Sequence, residues 1–492
     1  MMKHRLYLIV YHNCWEIYMK KLKNLVSFLL VAVMLVSMIA LSGAALAVDD
    51  PEISAKSAVL LEVDSDQVLY SLNSDEKRDP ASTTKIMTLL LAVEAIERGE
   101  VTAEDMVTIT SDVDTGISEG AVTVELEPGE EMSLLNLMYC AALPSANDAC
   151  NAIAEYISGS AENFVRLMNS RAAELGCENT HFENSHGLPN ENHYSTAYDL
   201  ALIMKEAYSH EQFVKITGTS TYTVPSTELH AQRNLITTNK LLSKESEYYY
   251  QNAVCGKTGS TDDAGYCLVS VGSDEKLTLV SVILGAEYER NDSGVRVYQH
   301  FAETSRLMEW GFNNFSYRSI LDVSNLLADV PVEMGEGTDS VVLRPEESIT
   351  MLVENDVSTD NQITYDITVY SEVNDETLVA PVYSGDVLGE VEVFYKGESQ
   401  GTVKLVANST VPLMRTEYLK SEFKKGLSSK WIKGTIWFLV LLLIAYIAYI
   451  VYYNVNKKKK QLQPVAAPQP AVSTNGSNAK PKETAAAGKT GK

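Results

Sequence analysis

Three short clusters in this chain carry residue types that can do chemistry together: Ser82-Thr83-Thr84-Lys85, Ser145-Ala146-Asn147 and Lys257-Thr258-Gly259. In this order they supply a serine nucleophile, a neighbouring amine base, a second hydroxyl able to relay a proton, and a cationic anchor for a carboxylate. A serine hydroxyl is a poor nucleophile until a base takes its proton. On a helix, residues three apart share a face, with Cβ atoms roughly 5–6 Å apart. Lys85 therefore stands one turn beyond Ser82, where its amine can fold back onto the oxygen. The chemistry so assembled is acyl transfer to Ser82.

Each cluster needs an element to position it. Pro80 suits a first helical turn, and Ile86, Leu89, Leu90, Val93 and Ile96 recur at helical spacing. That helix is apolar on more than one face, so it is expected to be buried, which lowers the Lys85 pKa from its free value of about 10.4. Ser82 would lie at the positive end of the helix dipole. Taken alone, S-x-x-K also fits a serine N-cap followed by a solvated lysine. The run from Ser133 to Leu143 reads as a helix stopped by Pro144, and Ser145 to Tyr156 as a second helix with Ala149, Ala152 and Ile153 on its apolar side. Ser145 and Asn147 then sit at a turn facing a cleft, Ser145 to pass a proton and Asn147 to hydrogen-bond Lys85 and substrate. A bare helix cap is the other reading of Ser145.

The alternating runs Tyr266 to Val271 and Leu277 to Leu284, joined by the polar turn Ser273-Asp274-Glu275-Lys276, predict a hairpin. Lys257-Thr258-Gly259 is expected at the entrance to an edge or near-edge strand, where a peptide ending in a carboxylate can bind alongside; by itself the triplet also fits a turn. Lys257 would supply positive charge, Thr258 a hydroxyl, and Gly259 room for a ligand backbone. Gly116-Ile117-Ser118-Glu119-Gly120 matches the G-x-S-x-G nucleophile elbow, which needs a hydrophobic strand before the serine and a helix after it. Here polar Asp112-Val113-Asp114-Thr115 precedes, and strand-like Val122, Val124 and Leu126 follow. The context is inverted, and Ser118 is set aside.

With these residues in place, the chain resembles the low-molecular-mass penicillin-binding proteins of the serine D-alanyl-D-alanine carboxypeptidase family. The similarity extends through Arg78-Asp79-Pro80-Ala81, Asn147-Asp148-Ala149-Cys150, Leu167-Met168-Asn169-Ser170, Asn179-Thr180-His181-Phe182, His186-Gly187-Leu188 and Asp263-Ala264-Gly265-Tyr266, covering residues 57 to about 315. The resemblance implies an α/β (α+β) β-lactamase/transpeptidase-like catalytic domain, a mixed sheet and a helical cluster with the active site in the groove between them. It implies Ser82 as the acylated nucleophile, Lys85 as its base, and Ser145 and Asn147 in the proton network. Lys257 and Thr258 would hold the terminal carboxylate, and the backbone amides of Ser82 and Ser260 would form the oxyanion hole. It further implies peptidoglycan stem peptides ending in D-Ala-D-Ala as substrate and β-lactams as covalent inhibitors, with no cofactor. Two departures stand out: Ser260 follows the triplet where some members carry His, and Thr238 occupies the upstream region where some carry Arg. Class A β-lactamases share the fold but deacylate with a glutamate in an E-x-x-L-N segment that this chain lacks. A DD-endopeptidase acting on cross-links, or a catalytically silent wall-binding protein, are the competing readings.

The 492 residues allow two or three domains. Met19-Lys20-Lys21-Leu22-Lys23, the apolar stretch Leu25 to Leu41 and Ala45-Leu46-Ala47 read as a signal peptide over 19–47. The catalytic domain is expected over 51–317. Short β-rich runs such as Ser340-Val341-Val342-Leu343, Ile363 to Tyr370 and Val391-Glu392-Val393-Phe394-Tyr395 predict a smaller all-β sandwich over 318–414, with a stalk over 415–433. Residues 434–453 have the length of a membrane span, flanked by Trp431, Trp437, Tyr452 and Tyr453, and Lys457-Lys458-Lys459-Lys460 follows. A cleaved signal peptide would set the catalytic part outside and the tail, 454–492, inside, where its Pro/Ala/Lys-rich composition predicts disorder.

A net charge of −25 excludes nucleic acid as a partner. Beyond Cys14, Cys140, Cys150, Cys177, Cys255 and Cys267 form no disulfide pattern, and buried thiols are expected at Cys140 and Cys150. Cys255 lies two residues before Lys257, close enough for an alkylating reagent to affect the site. The histidines have no metal-ligand spacing, and His181 and His186 read as hydrogen-bonded structural residues.

Overall fold

The computed structural model describes residues 50–460, apart from residue 292 and residues 356–361. The expected signal peptide and the tail from Gln461 onward lie outside the described residues. By their contacts the residues form two compact units. Of the described residues, one holds those up to 327 together with those in 344–368 and 389–405; the other holds 328–343, 369–388 and the described residues from 406.

The first unit is built on a five-stranded antiparallel sheet in the order Val68–Leu72, Ser57–Glu62, Thr278–Ala286, Gly265–Ser273, Ala253–Thr261. Its central strands are apolar on both faces because both are covered. Val59, Leu61, Val280 and Val282 point into the large core shared with the helical cluster. Ala58, Leu60, Leu279 and Ile283 alternate with them and meet Leu307 and Met308 of the helix Gln299–Asn314. Thr278–Ala286 and Gly265–Ser273 form the expected hairpin.

The helical cluster surrounds the helix Lys85–Glu97, which is buried through most of its length, as its all-round apolar sequence requires. The helices Leu134–Ala142, Asn147–Ser158, Ala161–Glu174 and Ala197–Tyr208 pack around it. Three start on hydroxyl caps: Ser133, Ser160 and Thr196 accept hydrogen bonds from the backbone N–H of Asn136, Asn163 and Asp199.

The segment Val122 to Leu126 corrects one expectation, for it alternates like a strand yet pairs with none. Its amides are taken up instead by the buried carboxylate of Asp148, which accepts from Val124 N at 3.0 Å and Leu126 N at 3.1 Å. A side chain does the work of a neighbouring strand, so the alternation misleads. Ser118 lies in the turns just before it.

Beyond residue 314 the texture is β-rich, as expected. Phe315–Leu321 pairs antiparallel with Ile349–Glu354, and Ala328–Glu333 pairs antiparallel with Ser340–Pro345 and parallel with Leu378–Val379. Ile363–Val369, Val387–Tyr395 and Glu398–Ala407 complete the strands. Val391, Val393 and Tyr395 are buried while their alternate neighbours are not, the period-2 signature of a half-covered strand. The helix Arg415–Ser428 follows, and then the helix Lys430–Lys460, whose stretch to Lys458 is long and apolar enough to cross a membrane.

Candidate active site

Ser82 lies in a 3-10 turn, Ala81–Thr84, that runs into the helix Lys85–Glu97. This refines the expected α-helical start. With three residues per turn, positions i and i+3 eclipse, so the tighter turn brings Lys85 directly over Ser82. The Asp79 carboxylate holds the turn by accepting from Ala81 N at 2.8 Å.

The Lys85 amine is fully buried and touches three oxygens: Ser82 Oγ at 2.9 Å, Asn147 Oδ1 at 2.7 Å and the His186 carbonyl at 2.6 Å. Burial pushes its pKa down from 10.5 to about 8. An uncharged amine has two N–H donors and one lone pair. The two carbonyl oxygens can only accept, so they take both N–H groups and leave the lone pair for the Ser82 hydroxyl proton. This rules out the solvated-lysine reading.

Ser145 precedes the second helix, which begins at Asn147 and not at Ser145 as the sequence suggested. Its backbone is left-handed, with φ of 73°, a conformation that costs a non-glycine residue roughly 1–2 kcal/mol. Its hydroxyl is buried without a hydrogen-bond partner, so it caps nothing. A strained backbone presenting an unpartnered polar group is a feature of functional sites. Asn147 is buried, and its N–H donates to Val122 O at 2.9 Å.

Lys257, Thr258, Gly259 and Ser260 lie within the strand Ala253–Thr261, at the edge of the five-stranded sheet. The triplet is thus part of the strand itself and not its entrance. Lys257 is buried and donates to the Thr258 carbonyl at 2.9 Å. Burial holds its ammonium well below the usual range, and the nearby Lys85 charge acts in the same direction. Gly259 allows the strand to meet the nucleophile turn: a Cβ there would stand 3.0 Å from Pro80 O, Ser82 N and Thr83 N. Ser260, exposed, pairs with Tyr266 across the hairpin.

Two contributors escaped the sequence reading. The sequence predicts a hydrogen-bonded structural role for His186, and its buried ring, whose pKa burial pushes down to about 3, does accept from Leu188 N. Its backbone carbonyl nevertheless reaches Lys85, and no residue type announces a carbonyl. Gly187 makes that turn possible: its φ is 88°, and a Cβ would stand 1.9 Å from Ala81 O. The other is Asp148, which ties Val122–Leu126 to the helix that carries Asn147. An acid in a helix's first turn next to a site residue was the signal available for it.

All five described cysteines are free and buried. Burial pushes the Cys255 thiol up to about 12, so proximity to Lys257 does not make it reactive. Among the described residues Glu94, Glu206 and His210 approach one another, but the Arg171 guanidinium pairs with both carboxylates, making an ion-pair cluster.

A buried lysine amine with a lowered pKa at a serine hydroxyl, an unpartnered second serine and an edge strand with a lysine define a serine hydrolase site of the acyl-transfer class. Comparison with known proteins narrows the class. Residues 44–288 match the family model described as D-alanyl-D-alanine carboxypeptidase, peptidase S11, and residues 315–413 match that of the penicillin-binding protein 5 C-terminal domain. Over 386 residues the chain is 34% identical to the D-alanyl-D-alanine carboxypeptidase DacF of Bacillus subtilis, covering 77% of this chain and 92% of that one. It is 30% identical to DacA of Escherichia coli K12, covering 74% and 85%. The crystal structure of penicillin binding protein 5 from Haemophilus influenzae superposes with a TM-score of 0.53 at 28% identity, covering 74% of this chain and 99% of that one. The chain belongs to the serine D-alanyl-D-alanine carboxypeptidase family.

Proposed function

We propose that this protein is a membrane-tethered DD-carboxypeptidase that removes the terminal D-alanine from peptidoglycan stem pentapeptides. The observation that carries this reading is the fully buried Lys85 amine, 2.9 Å from Ser82 Oγ and held by two carbonyl oxygens that can only accept.

Lys85 takes the Ser82 proton as Oγ attacks the carbonyl carbon of the penultimate D-alanine. Charge developing on the carbonyl oxygen meets the backbone N–H groups of Ser82 and Ser260; a single such donor is typically worth about 10²–10³ in rate. The Ser145 hydroxyl, free of other partners, relays the proton from Lys85 to the departing amine. The C–N bond breaks, D-alanine leaves, and an ester joins Ser82 to the shortened peptide. Water, deprotonated by Lys85, then hydrolyses the ester and regenerates the hydroxyl. Asn147 fixes Lys85, Lys257 and Thr258 hold the terminal carboxylate, and Gly259 lets the strand close against the nucleophile turn, where the expected room for a ligand backbone is taken by Pro80, Ser82 and Thr83.

In this reading residues 51–317 are the catalytic domain, 318–414 a spacer and 415–433 a stalk. Residues 434–453 cross the membrane, and the catalytic part faces outward because a signal peptide over 19–47 directs export. β-Lactams enter the same groove and leave a slow acyl ester on Ser82.

Intact-mass measurement after penicillin treatment tests the chemistry: the wild type gains one adduct and Ser82→Ala none. An unshifted wild type, or an adduct that survives Ser82→Ala, overturns it. Release of D-alanine from a soluble pentapeptide, blocked by penicillin, tests the substrate.

A further inference from the structure

His193 is buried and takes no part in the chemistry above, yet its ring joins two segments that meet at Lys85. Its Nδ1 accepts from the backbone N–H of Glu183 at 3.0 Å, and its Nε2 lies 2.8 Å from the buried Thr84 hydroxyl. A backbone N–H can only donate, so Nδ1 carries the lone pair. The proton of the neutral ring therefore sits on Nε2, which donates to Thr84 Oγ1. Phe182 packs against the ring with centroids 5.6 Å apart, and the His193 backbone N–H donates to Asn190 O at 2.9 Å. Ring and backbone are both fixed.

Thr84 lies in the 3-10 turn, between Ser82 and Lys85. Glu183 opens the stretch whose His186 carbonyl accepts from Lys85 at 2.6 Å. One turn further along the helix, Thr88 Oγ1 donates to Ser185 O at 2.5 Å. The imidazole thus sets the separation between the turn that carries nucleophile and base and the carbonyl that occupies one N–H of that base. We propose that His193, as its Nε2–H tautomer, is a positioning residue that holds the His186 carbonyl on Lys85 and keeps water from the amine, so that the Lys85 lone pair stays on Ser82. This inference rests on the acyl-transfer reading of Ser82 and Lys85, and adds to it a group that sets the basicity of the base.

Cutting the tie frees the segment around His186 and admits water. Water takes the place of the carbonyl as acceptor and relieves the burial that holds the Lys85 pKa at about 8, so the ammonium is favoured and the pH midpoint of acylation rises. The titratable groups facing Lys85 are Asp148 and Cys150 of the helix Asn147–Ser158, Lys257 of the edge strand, and His186 and His193. Burial, aided by the charges of His181 and Lys85, pushes His193 down to about 4, so its ring stays neutral above pH 6.

The test follows acylation of Ser82 by one penicillin between about pH 6 and 10, in the full chain in detergent. Thr84→Val keeps the shape and removes the hydroxyl that receives the ring proton, Thr84→Ser keeps the hydroxyl, and His193→Phe keeps a ring without nitrogens. Thr84→Val and His193→Phe are each expected to raise the midpoint by about one unit and to slow acylation about tenfold at neutral pH, with the deficit closing above the new midpoint. Thr84→Ser should stay near the wild type. An equal loss at every pH, or a midpoint that stays or falls, makes His193 merely structural and overturns the proposal, as does a valine variant that matches the wild type. If His193→Phe does not fold, the two threonine variants decide. A wild type that takes up no penicillin removes the acyl-transfer reading itself, a result distinct from a fixed midpoint.

Discussion

The catalytic stretch and the strands that follow it are built to different rules. Among the described residues, every buried polar or charged side chain lies before residue 305, including Lys85, Asn147, Asp148 and Lys257. The strands after residue 314 bury an apolar set instead: Val330, Val332, Val341, Leu343, Val391, Val393 and Leu405. Both regions contain non-glycine residues with left-handed backbone. In the later region Asp375 and Lys396 sit in exposed turns, where such strain is cheaply accommodated, whereas Ala81 is buried next to the nucleophile in the chain and Ser145 is buried two residues before Asn147, which holds Lys85. Burying an amine and straining a serine both oppose folding. Such features persist where something other than stability selects them, and here they surround one hydroxyl. Substitutions in the two regions should therefore separate chemistry from stability.

The largest separation is expected at Lys85. Lys85→Ala removes the group placed to take the Ser82 proton, so the rate of acylation by a fluorescent penicillin should fall by about 10³-fold or more. Thermal stability should change far less than activity, because the variant also removes a buried amine. A loss below tenfold would mean that another group serves as base. Gly187 comes next, and there fold and chemistry fail together. In Gly187→Ala a Cβ meets Ala81 O at 1.9 Å in a backbone of φ 88°, which should cost about 3 kcal/mol or more and withdraw the His186 carbonyl from Lys85. Thermal unfolding and penicillin acylation would both register it; a variant that unfolds and acylates like the wild type would show the turn to be dispensable.

The contrast between regions also explains what could be read from residues alone. Period-2 alternation at 391–395 and the hairpin runs after Tyr266 became strands because their backbone partners are other strands. Val122, Val124 and Leu126 show the same alternation but are satisfied by Asp148, a long-range choice that no local pattern carries. The Ser82–Lys85 pair was legible because three-residue spacing brings the two together in either a 3-10 turn or an α-helix. The His186 carbonyl was not, since every residue has one and only the fold selects which is used. The sequence pattern starts the helix at Ser145, two residues before its true start at Asn147, because nothing in the serine's type announces a left-handed backbone. Function was more legible than geometry: the nucleophile and base are side chains, whereas much of what orients them is backbone.

Asn147 sharpens the comparison through pH. With a pKa of about 8, Lys85 is the base only when uncharged, so acylation should rise about tenfold per unit below pH 8 and level off above it. The sign follows from burial, which disfavours the charged form and lowers the pKa of a lysine. Asn147→Asp sets a carboxylate where Oδ1 now accepts from Nζ at 2.7 Å, which favours the ammonium. The midpoint should move to higher pH by about 1–3 units, with slower acylation at neutral pH. A midpoint that stays in place would separate Asn147 from Lys85 and assign it to substrate alone.

The smallest effect on chemistry is expected where burial is purely apolar. Leu343 is fully buried in the strand Ser340–Pro345, and Leu343→Ala should destabilise its own unit by about 2–5 kcal/mol through lost burial and the cavity left behind. Ser82, Lys85 and Lys257 belong to the other unit, so the acylation rate per folded molecule should match the wild type. Unfolding followed alongside penicillin labelling would read both quantities from one sample. If labelling slowed with intact fold, the strand-rich region would be part of the catalytic apparatus and the division of labour between the two regions would fail. If both quantities held, the apolar strands would tolerate a cavity that the polar pocket around Lys85 cannot, which is the behaviour expected when one region is selected for packing and the other for a proton transfer.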